Sequence, residues 1–413
     1  MPPAPVAALD RALSLNIHQT TQRLIEYCRT SDWAGHDPYD ALNSELIGAF
    51  RILDSRFLRL ALTQLLKRSP VDLRHLLRVP KMQNPKALGL FLASMVKLRR
   101  VGFLADDELA KQIVMRLADL RSAGSEHWCW GYCFPWQTRT RVVPRGAPNL
   151  ICTTFVATAL LDAYEALRAP RCLQMAVSAA EYILDELYWT EGEVAGFSYP
   201  LPSMHQQIHN ANFLAAALFC RITATAGEKK FLEPALRAAR FSASKQRDDG
   251  SWRYGEMPNQ NWIDNFHTGY NLCALRSIAR YSGESEFESN IRAGFEFYRK
   301  HFFRDDGAPR YFHNRTYPLD VHSAAQSIIV LLAFRDIDQD NATLAHSVLH
   351  WTMSHLWDKR GFFYYQKLPF CTIRTSYMRW SQAWMLLALS TLLEEECERP
   401  AVVDLAPSLQ NLG

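Results

Sequence analysis

Residues 149–167 read NLICTTFVATALLDAYEAL, a stretch that opens with polar side chains and continues as an apolar, helix-like body. Its Leu160 is the first of five leucines that lie 58, 57, 57 and 57 residues apart, and the others are Leu218, Leu275, Leu332 and Leu389. The five apolar stretches that hold them are residues 149–167, 209–225, 264–281, 320–334 and 379–393. Similarity at a fixed period predicts a repeat architecture.

A second helix-like stretch follows each of these, and a glycine–aromatic loop then leads into the next repeat. The loops begin at Gly131, Gly196, Gly250, Gly307 and Gly361. With residues 85–99 the chain has six candidate inner helices and five outer partners, and residues 10–30 supply a sixth outer helix. Six hairpins are typical of an (α/α)6 barrel, an all-α ring in which neighbouring hairpins cover each other's apolar faces.

The repeat predicts a single domain over residues 1–413, because one hairpin cannot bury its apolar face without its neighbours. Residues 1–84 are predicted to hold the N-terminal helices that close the ring, with helix-like stretches at 10–30 and 41–66. Residues 400–413 are predicted to form a loose tail. Strand signals are weak and confined to short loop pieces such as residues 362–366.

The composition excludes some classes of function. The net charge is only +4, so no global field points to nucleic acid. Nine scattered cysteines suit a reducing compartment, and the N-terminus lacks the basic and apolar regions of a signal peptide. Apolar runs such as residues 327–334 and 385–393 are shorter than the ~20 residues that span a bilayer. We therefore expect a cytoplasmic protein that does not bind nucleic acid.

Polar residues gather in the first turn of each inner helix. In a ring of parallel inner helices these turns converge on one mouth, where the helix N-termini offer free N–H donors. Convergent polar groups with aromatic walls predict a binding site there. The polar residues are Asn149; His209 and Asn212; Asp264 and His267; Asp320, His322 and Gln326; Arg379, Trp380 and Gln382.

Four of these residues are the candidate catalytic groups. Asp264 and His267 are three positions apart, so on a helix they share a face and can act together on one substrate. Asp320 and His322 place an aspartate and a histidine at the start of the next inner helix. The alternative is that each aspartate only caps its helix.

Further residues are candidates for substrate binding. Arg374 and Arg379 could clamp a carboxylate or phosphate, or Arg379 could pair with Asp264 or Asp320 across the mouth. The long loop at 130–145 is either a substrate wall or a surface excursion. The remaining candidates are Trp136 and Arg139 in that loop and the aromatic residues Tyr199, Trp252, Tyr254, Trp262 and Tyr270.

We expect neither a metal nor a cofactor. His205 and His209 have metal-type spacing, but no acidic third ligand lies nearby in the sequence. A separate feature is the segment 67–100, which holds nine basic residues and one acidic residue. It is either a peripheral contact for a membrane or a lipid diphosphate, or a solvated basic face.

The glycine–aromatic loops and the six-fold period resemble the six-hairpin glycosidase superfamily, over about residues 85–395. That group includes (α/α)6 hydrolases, unsaturated glucuronyl hydrolases and N-acylglucosamine 2-epimerases. The resemblance implies a carbohydrate bound at the barrel mouth, Asp264 in the place of a hydrolase's catalytic aspartate, and His267 and His322 as counterparts of the epimerase histidines. Residues 131–139, 262–270 and 378–384 also resemble bacterial proteins from polysaccharide-biosynthesis clusters.

The leading hypothesis is a carbohydrate-active enzyme, of hydrolase or epimerase type, acting on a uronic-acid-containing or otherwise anionic saccharide. In the hydrolase version Asp264 is the general acid and Asp320 its partner. In the epimerase version His267 and His322 face opposite sides of an acidic C–H, and Arg379 holds the carboxylate.

Two alternatives remain open. Residues 246–252 fit the Gln-x3-Gly-x-Trp motif of squalene–hopene-type cyclases, which suggests a terpene or isoprenoid enzyme, although the chain lacks an Asp-x-Asp-Asp acid. The other alternative is a non-catalytic glycan-binding or scaffold protein of a biosynthetic complex. The oligomeric state is left open.

Overall fold

The computed structural model describes residues 6–48, 55–138 and 140–398, so Arg139 and the predicted tail at 400–413 lie outside the described residues. The helices are α1 (Val6–Thr30), α2 (Glu45–Gly48), α3 (Arg56–Arg68), α4 (Pro85–Arg100), α5 (Glu108–Asp119), α6 (Leu150–Leu167), α7 (Pro170–Tyr182), α8 (His209–Ala226), α9 (Leu232–Ala243), α10 (Asn265–Ser282), α11 (Glu288–His301), α12 (Val321–Ala333), α13 (Asp340–Leu356) and α14 (Ala383–Glu398).

Six helices form a closed inner ring. In order around the ring, α4, α6, α8, α10, α12 and α14 each pack against the next, and α14 returns to α4. The outer helices α5, α7, α9, α11 and α13 each pack on the inner helix that precedes them, and α1 packs on α14. The all-α (α/α)6 architecture predicted from the period is therefore confirmed.

Burial patterns explain which helices lie inside. α12 is buried on nearly all sides, because every residue from 321 to 328 and from 330 to 332 is buried. α5 instead buries only Ala110, Ile113 and Leu117, a single stripe at helical spacing. α6 is long and apolar enough to cross a membrane, but 61% of it is buried inside the protein. Its hydrophobicity follows from its place in the inner ring.

The strands are short and lie in the loops, as the sequence predicts. They are β1 (Ala34–Gly35), β2 (Met82–Gln83), β3 (Trp136–Gln137), β4 (Val142–Val143), β5 (Tyr188–Glu191), β6 (Val194–Phe197), β7 (Leu319–Asp320), β8 (Trp357–Asp358), β9 (Phe362–Phe363), β10 (Gln366–Lys367) and β11 (Thr372–Ile373). β7 pairs with β10, which pairs with β11, while β1–β2, β3–β4, β5–β6 and β8–β9 are isolated two-stranded pairs.

The Gln-x3-Gly-x-Trp motif, which follows the outer helix α9, contacts the next outer helix, α11. Gln246 donates to the carbonyl oxygens of Gly250 and Asn290, and Trp252 Nε1 donates to the carbonyl oxygen of Ser242. Gly250 has a φ of +85°, and a Cβ there would lie 2.2 Å from the carbonyl oxygen of Ala293. The motif is therefore accounted for by packing between α9 and α11.

The region between α1 and α4 differs from the helix-like stretch predicted at 41–66. Its described residues form a 3-10 turn (Asp40–Asn43), the single turn α2 and the helix α3. α3 packs on that 3-10 turn and on β3, which belong to the loops at the mouth of the ring. Its amphipathic pattern predicts a helix correctly, but α3 covers loops and is not part of the outer ring.

Carboxylates outside the basic segment 67–100 pair with four of its nine basic residues. Arg74 is fully buried and donates to Asp40 at 2.8 Å, and Lys86 is also buried. Lys97 and Arg100 pair with Glu394, and Arg99 pairs with Asp107. Arg68, Arg78 and Lys81 remain exposed. The cationic surface is therefore smaller than the sequence window suggests.

Candidate functional site

A cleft of about 640 Å³ opens at the N-terminal ends of the inner helices. Each of the six inner helices contributes a lining residue from its first turn or from the turn leading into it. In ring order these residues are Lys86, Ile151, Asn210, Phe266, His322 and Arg379. The convergence predicted from the polar first turns is present in the structure.

Half of the residues that line the cleft are tyrosine, phenylalanine or tryptophan. Tyr254 and Trp262 stack on each other with their ring centroids 4.4 Å apart and their planes at 15°, so each ring keeps only its outer face for other contacts. Such surfaces suit the apolar faces of sugar rings. The aromatic lining residues are Tyr39, Tyr132, Phe134, Trp136, Tyr199, Tyr254, Trp262, Phe266, Tyr270, Tyr311, Phe312 and Trp380.

Asp264 both caps α10 and orients His267. One carboxylate oxygen accepts from the backbone N–H of His267 at 2.9 Å. The other accepts from Trp262 Nε1 at 3.0 Å and from His267 Nδ1 at 2.7 Å. The side chain of Asp264 is 1% exposed and that of His267 is 23% exposed. The carboxylate thus fixes the ring so that Nε2 is free to meet a bound molecule, an arrangement typical of a general base.

His322 lies in the same cleft in a different environment. Its Nε2 is 2.6 Å from the hydroxyl of Tyr270, and its Nδ1 is buried without a partner among the described residues. Burial lowers the pKa of His322 well below its usual range, and the charges of Lys86 and Arg379 act in the same direction. Burial also raises the pKa of Tyr270 well above its usual range. The tyrosine therefore keeps its proton and donates a hydrogen bond to Nε2 of His322. Because Nε2 accepts this bond, the single ring proton of neutral His322 is on Nδ1.

The phenyl ring of Phe266 lies between the two histidines. Its centroid is 4.4 Å from that of His267 and 4.5 Å from that of His322, where the rings stack at 16°. Phe266 also meets Trp380 edge to face at 5.5 Å. One aromatic ring therefore spaces two imidazoles that line one cleft.

Asp320 does not line the cleft with Asp264. It is 1% exposed and caps α12 by accepting from the backbone N–H of His322 at 2.8 Å. It also accepts from Gln366 Nε2 at 2.5 Å and from Trp380 Nε1 at 3.1 Å. Burial raises the pKa of Asp320 to about 6. In the described parts of the chain, Asp264 is the only carboxylate that lines the cleft.

Arg379 lines the cleft with its charge already compensated. It donates to both carboxylate oxygens of Asp37, at 2.6 and 2.8 Å, in a buried bidentate pair. The expected pairing of Arg379 with Asp264 or Asp320 was therefore wrong. The pairing arises because the backbone N–H of Met378 donates to the carbonyl oxygen of His36, which brings the loop after α1 against the turn before α14.

Lys86 lines the cleft although the sequence pattern placed it in a basic surface segment. It lies in the first turn of α4, after the capping side chain of Asn84, and is 3% exposed. Its Nζ is 4.0 Å from the ring centroid of Phe155, 5.4 Å from that of Trp384 and 5.5 Å from that of Tyr270. The rule that first turns converge on the mouth, applied to α4, would have found it.

The other predicted site residues divide by position. Trp136, Tyr199, Tyr254, Trp262, Tyr270 and Trp380 line the cleft with the residues described above. The other seven lie outside the lining. Asn149 caps α6, and His209 and Asn212 form hydrogen bonds with Ser242, whose carbonyl oxygen accepts from Trp252. Gln326 is buried beside Gly269, Arg374 is exposed over the ring of Tyr364, and Gln382 bonds to the backbone of Phe363.

His205 and His209 make separate contacts. His205 stacks on Trp189 with centroids 5.2 Å apart, and His209 Nε2 lies 3.0 Å from Glu256. Residues that sequence analysis did not select also line the cleft. They are Tyr39, Lys86, Tyr132, Phe134, Ile151, Asn261, Ile263, Phe266, Tyr311, Phe312, His313, Asn314 and Arg315. Asn210, a polar first-turn residue of α8 that the sequence pattern does place at the mouth, lines the cleft as well.

No protein-family model and no curated protein matches this sequence. Solved structures do match it. A cellobiose 2-epimerase from Bacillus thermoamylovorans is 10% identical over 76% of this chain and 88% of its own, with a TM-score of 0.62. A GH76 α-mannanase from Bacteroides thetaiotaomicron is 13% identical over 78% and 89%, with a TM-score of 0.59. An unsaturated glucuronyl hydrolase specific for heparin is 12% identical over 77% and 89%, with a TM-score of 0.58.

These neighbours belong to the six-hairpin glycosidase-like superfamily, and the chain has their fold. They are carbohydrate-active enzymes, epimerases and hydrolases among them. At these identities the likeness concerns the fold alone.

Proposed function

We propose that this protein is a saccharide epimerase or isomerase that moves a proton at the carbon next to the carbonyl of an open-chain sugar. The observation that carries this proposal is the set of titratable groups in the cleft. Among the residues that the structure describes, three histidines, His267, His313 and His322, line the cleft with one carboxylate, and that carboxylate is bonded to His267. Histidine is the side chain most often used for proton transfer near neutral pH.

Glycoside hydrolysis fits the cleft less well. Most retaining and inverting glycosidases place two carboxyl groups on either side of the scissile bond. Here Asp320 is buried behind Trp380 and Gln366 and has three hydrogen-bond donors of its own. Asp264 is likewise enclosed by its donors. The described lining thus has no second carboxylate to activate water.

The two histidines have complementary roles in the proposed reaction. His267, held by Asp264 through Nδ1, removes the proton from the carbon through Nε2. His322, neutral and with its proton on Nδ1, is assigned to the carbonyl oxygen, where negative charge develops. Because Nδ1 is buried, this hydrogen bond requires that binding of the sugar bring Nδ1 into contact with the cleft. Return of a proton to the opposite face of the carbon gives the epimer.

The walls suggest the class of substrate. Tyr254 and Trp262 offer a stacking surface for a sugar ring. Arg315, at an exposed position of the lining, favours an anionic saccharide such as a uronic acid. Because Arg379 is paired with Asp37, we assign it to holding the cleft wall in place and give it no part in binding a carboxylate.

Solvent deuterium incorporation tests this function. The protein is incubated in D2O with cellobiose, N-acetylglucosamine and glucuronic acid, and the sugars are analysed by NMR and mass spectrometry. We expect deuterium bound to carbon beside the carbonyl and a new epimer or ketose. The variants His267→Gln and His322→Gln should lose at least about 100-fold in rate, the lower end of typical acid–base contributions.

His313→Gln is the matched control, because His313 also lines the cleft but contacts the carbonyl oxygen of Ile263 at 3.3 Å. It should keep most of the activity. Cleavage of the glycosidic bond with no carbon-bound deuterium would support a hydrolase and contradict the proposal. Saturable binding of a sugar with neither reaction would support the glycan-binding alternative.

A further inference from the structure

Lys86 is a buried amine at the cleft with no carboxylate partner. Its Nζ lies over the ring of Phe155 and within 5.5 Å of the ring centroids of Tyr270 and Trp384. In the described residues, no aspartate or glutamate lies within ion-pair distance of it. The proposed proton transfer does not use this amine.

Burial and the nearby Arg379 guanidinium disfavour the ammonium form of Lys86, whereas the aromatic faces over which its Nζ lies favour that form. Removing a charged amine from water into an apolar site costs free energy, and a second cation nearby adds to that cost. Burial lowers the pKa of Lys86 well below its usual range, and the Arg379 guanidinium acts in the same direction. A lysine desolvated in an apolar pocket and next to another cation is an activated nucleophile toward carbonyl carbons.

We propose that Lys86 forms an imine with the aldehyde or ketone carbon of an open-chain sugar bound in the cleft. The proposal rests on the proposed function and adds a covalent step to it. The Nζ lone pair adds to the carbonyl carbon, and the carbonyl oxygen takes up protons and leaves as water. The C=O bond is thereby replaced by a C=N bond, with no oxidant or reductant needed.

The imine makes the proposed proton transfer easier, and it replaces the hydrogen bond from His322 to the carbonyl oxygen, because that oxygen has left as water before the C–H bond breaks. Once protonated, its nitrogen withdraws electrons from the neighbouring C–H bond, so His267 can remove that proton and leave an enamine. A proton then returns to the opposite face of the carbon. Addition of water to the C=N bond releases the epimer and restores the free amine, so atoms and electrons balance over the cycle.

Reductive trapping tests this step directly. The full-length protein is treated at pH 7 with glycolaldehyde, a small hydroxyaldehyde, and sodium cyanoborohydride, which reduces an imine to a stable secondary amine. Peptide mass spectrometry then locates the hydroxyethyl adducts. We expect Lys86 to be modified at least about tenfold faster than the exposed Lys111 of α5, because an ordinary lysine with a pKa near 10.4 is almost entirely protonated at this pH.

Two variants separate the imine from a simple cation. Lys86→Met removes the amine and keeps an apolar chain of similar length, and Lys86→Arg keeps a cation that cannot form an imine. Both should lose the deuterium exchange by at least 100-fold, and a thermal melt reports whether each variant is folded. Exchange retained in Lys86→Arg would make Lys86 an anchor for an anion and overturn the proposal, as would slow trapping of Lys86 in the wild-type protein.

The trapping result is independent of the proposed function. Fast modification of Lys86 without deuterium exchange in any sugar would leave the reactive amine in place and reject the epimerase. Deuterium exchange that persists in Lys86→Met would keep the epimerase and reject the imine.

A second inference comes from the surface of α3. Its outward face carries Phe57, Leu58 and Leu65, and Val71 and Leu76 follow in the next loop; these side chains are between 46% and 72% exposed. Between residues 55 and 81 the only acidic residue is Asp72. Exposed apolar side chains interleaved with cations are typical of helices that lie on an anionic membrane surface.

We propose that α3 and the following loop dock on an anionic lipid bilayer. Charge complementarity favours this occupant, because Arg68, Arg78 and Lys81 are exposed beside the apolar residues. The buried face of α3 packs on β3 and on the 3-10 turn that begins at Asp40. Trp136 of β3 lines the cleft, so the docked face would bring the cleft close to the membrane.

Vesicle flotation tests the docking. We expect binding to phosphatidylcholine vesicles with about one-third phosphatidylglycerol, no binding to pure phosphatidylcholine, and weaker binding at high salt. The double variant Phe57→Ser/Leu65→Ser should bind several-fold less. Met115→Ser, at a 64% exposed apolar position of α5, is the control and should bind normally. Absence of binding, or a wild-type dimer that the double variant abolishes, would overturn the proposal.

Discussion

At the scale of single residues, Asp264 has two separable roles. Its cap of α10 needs only an oxygen that accepts from a backbone N–H. Its bond to His267 Nδ1 depends on a negative carboxylate, which fixes the tautomer and stabilises the charged ring. Asp264 can therefore cap the helix and act with His267 at the same time. One carboxylate oxygen accepts from the backbone N–H, and the other bonds to the imidazole ring.

Asp264→Asn separates the two roles. Asparagine still caps the helix, so the melting temperature should stay within a few degrees of the wild-type value. The amide no longer holds the correct tautomer of His267, so deuterium exchange should fall roughly 10²- to 10⁴-fold. Asp264→Ala should lose the exchange and, in addition, about 1 kcal/mol of stability. Exchange at the wild-type rate in Asp264→Asn would remove Asp264 from the mechanism.

Asp320 predicts a pH dependence of stability. Its folded-state pKa of about 6 lies above the unfolded value of ~3.9. The folded protein therefore keeps a proton that the unfolded chain has released between about pH 4 and pH 6. The stability due to this group falls as the pH rises through that window and is constant above it.

Asp320→Asn should lack this decline while keeping a cap on α12. The free energy of unfolding of the wild type relative to the variant should drop by up to about 3 kcal/mol between pH 4 and pH 7, at roughly 1.4 kcal/mol per pKa unit. Denaturant melts of both proteins at the two pH values measure the difference. A difference that rises with pH would mean that the folded state favours the ionised carboxylate.

At the scale of helices, side-chain caps start four of the six inner helices. Asn84, Asn149, Asp264 and Asp320 each accept from a backbone N–H two or three positions ahead. The same first turns supply the cleft lining, so one short segment of each helix both stabilises the helix and forms the site. A sequence pattern of polar first turns therefore predicts where the mouth lies, but it also selects capping residues, such as Asn149 and Asp320, that do not line the cleft.

Asn149→Ala tests that distinction on α6. Asn149 is fully buried and accepts from Cys152 N at 3.0 Å. Its loss should cost about 1 kcal/mol, within a range of 0.5–2 kcal/mol for such caps, and Asn149→Ser should recover part of that loss. The KM for a confirmed sugar should not change, because the side chain does not line the cleft. A rise in KM without loss of stability would make Asn149 a binding residue.

At the scale of the whole molecule, the two ends of the described chain meet. α1 packs on α14 and on β9, and α14 packs on α4, so the ring is closed by contacts between distant segments. A helix near the N-terminus is thus required to cover the outer face of the last inner helix.

Leu24→Ala tests this closure. Leu24 lies on α1 and is fully buried, and such truncations cost roughly 2–5 kcal/mol. Its exposed neighbour Glu26 is the control, and Glu26→Ala should change stability by less than about 0.5 kcal/mol. Thermal and denaturant melts measure both variants. If Leu24→Ala left the free energy of unfolding unchanged, α1 would contribute little to the stability of the ring.

The period of the leucines predicts the six hairpins, and the polar first turns predict the mouth and the presence of His267 and His322 in it. These features depend on local periodicity and on spacing within one repeat, which a single chain carries directly. The aromatic loops and the cap positions follow from the same local pattern.

Which charged groups pair with each other follows from the closed ring and is not visible in the sequence pattern. Arg379 pairs with Asp37, 342 positions away, Asp320 is enclosed by Gln366 and Trp380, and Lys86 enters the cleft. Each outcome depends on closure of the ring, which buries some charged groups and pairs others. The free energy of a charge depends on its distance to partners and on its exposure to water, and neither quantity is encoded in local sequence.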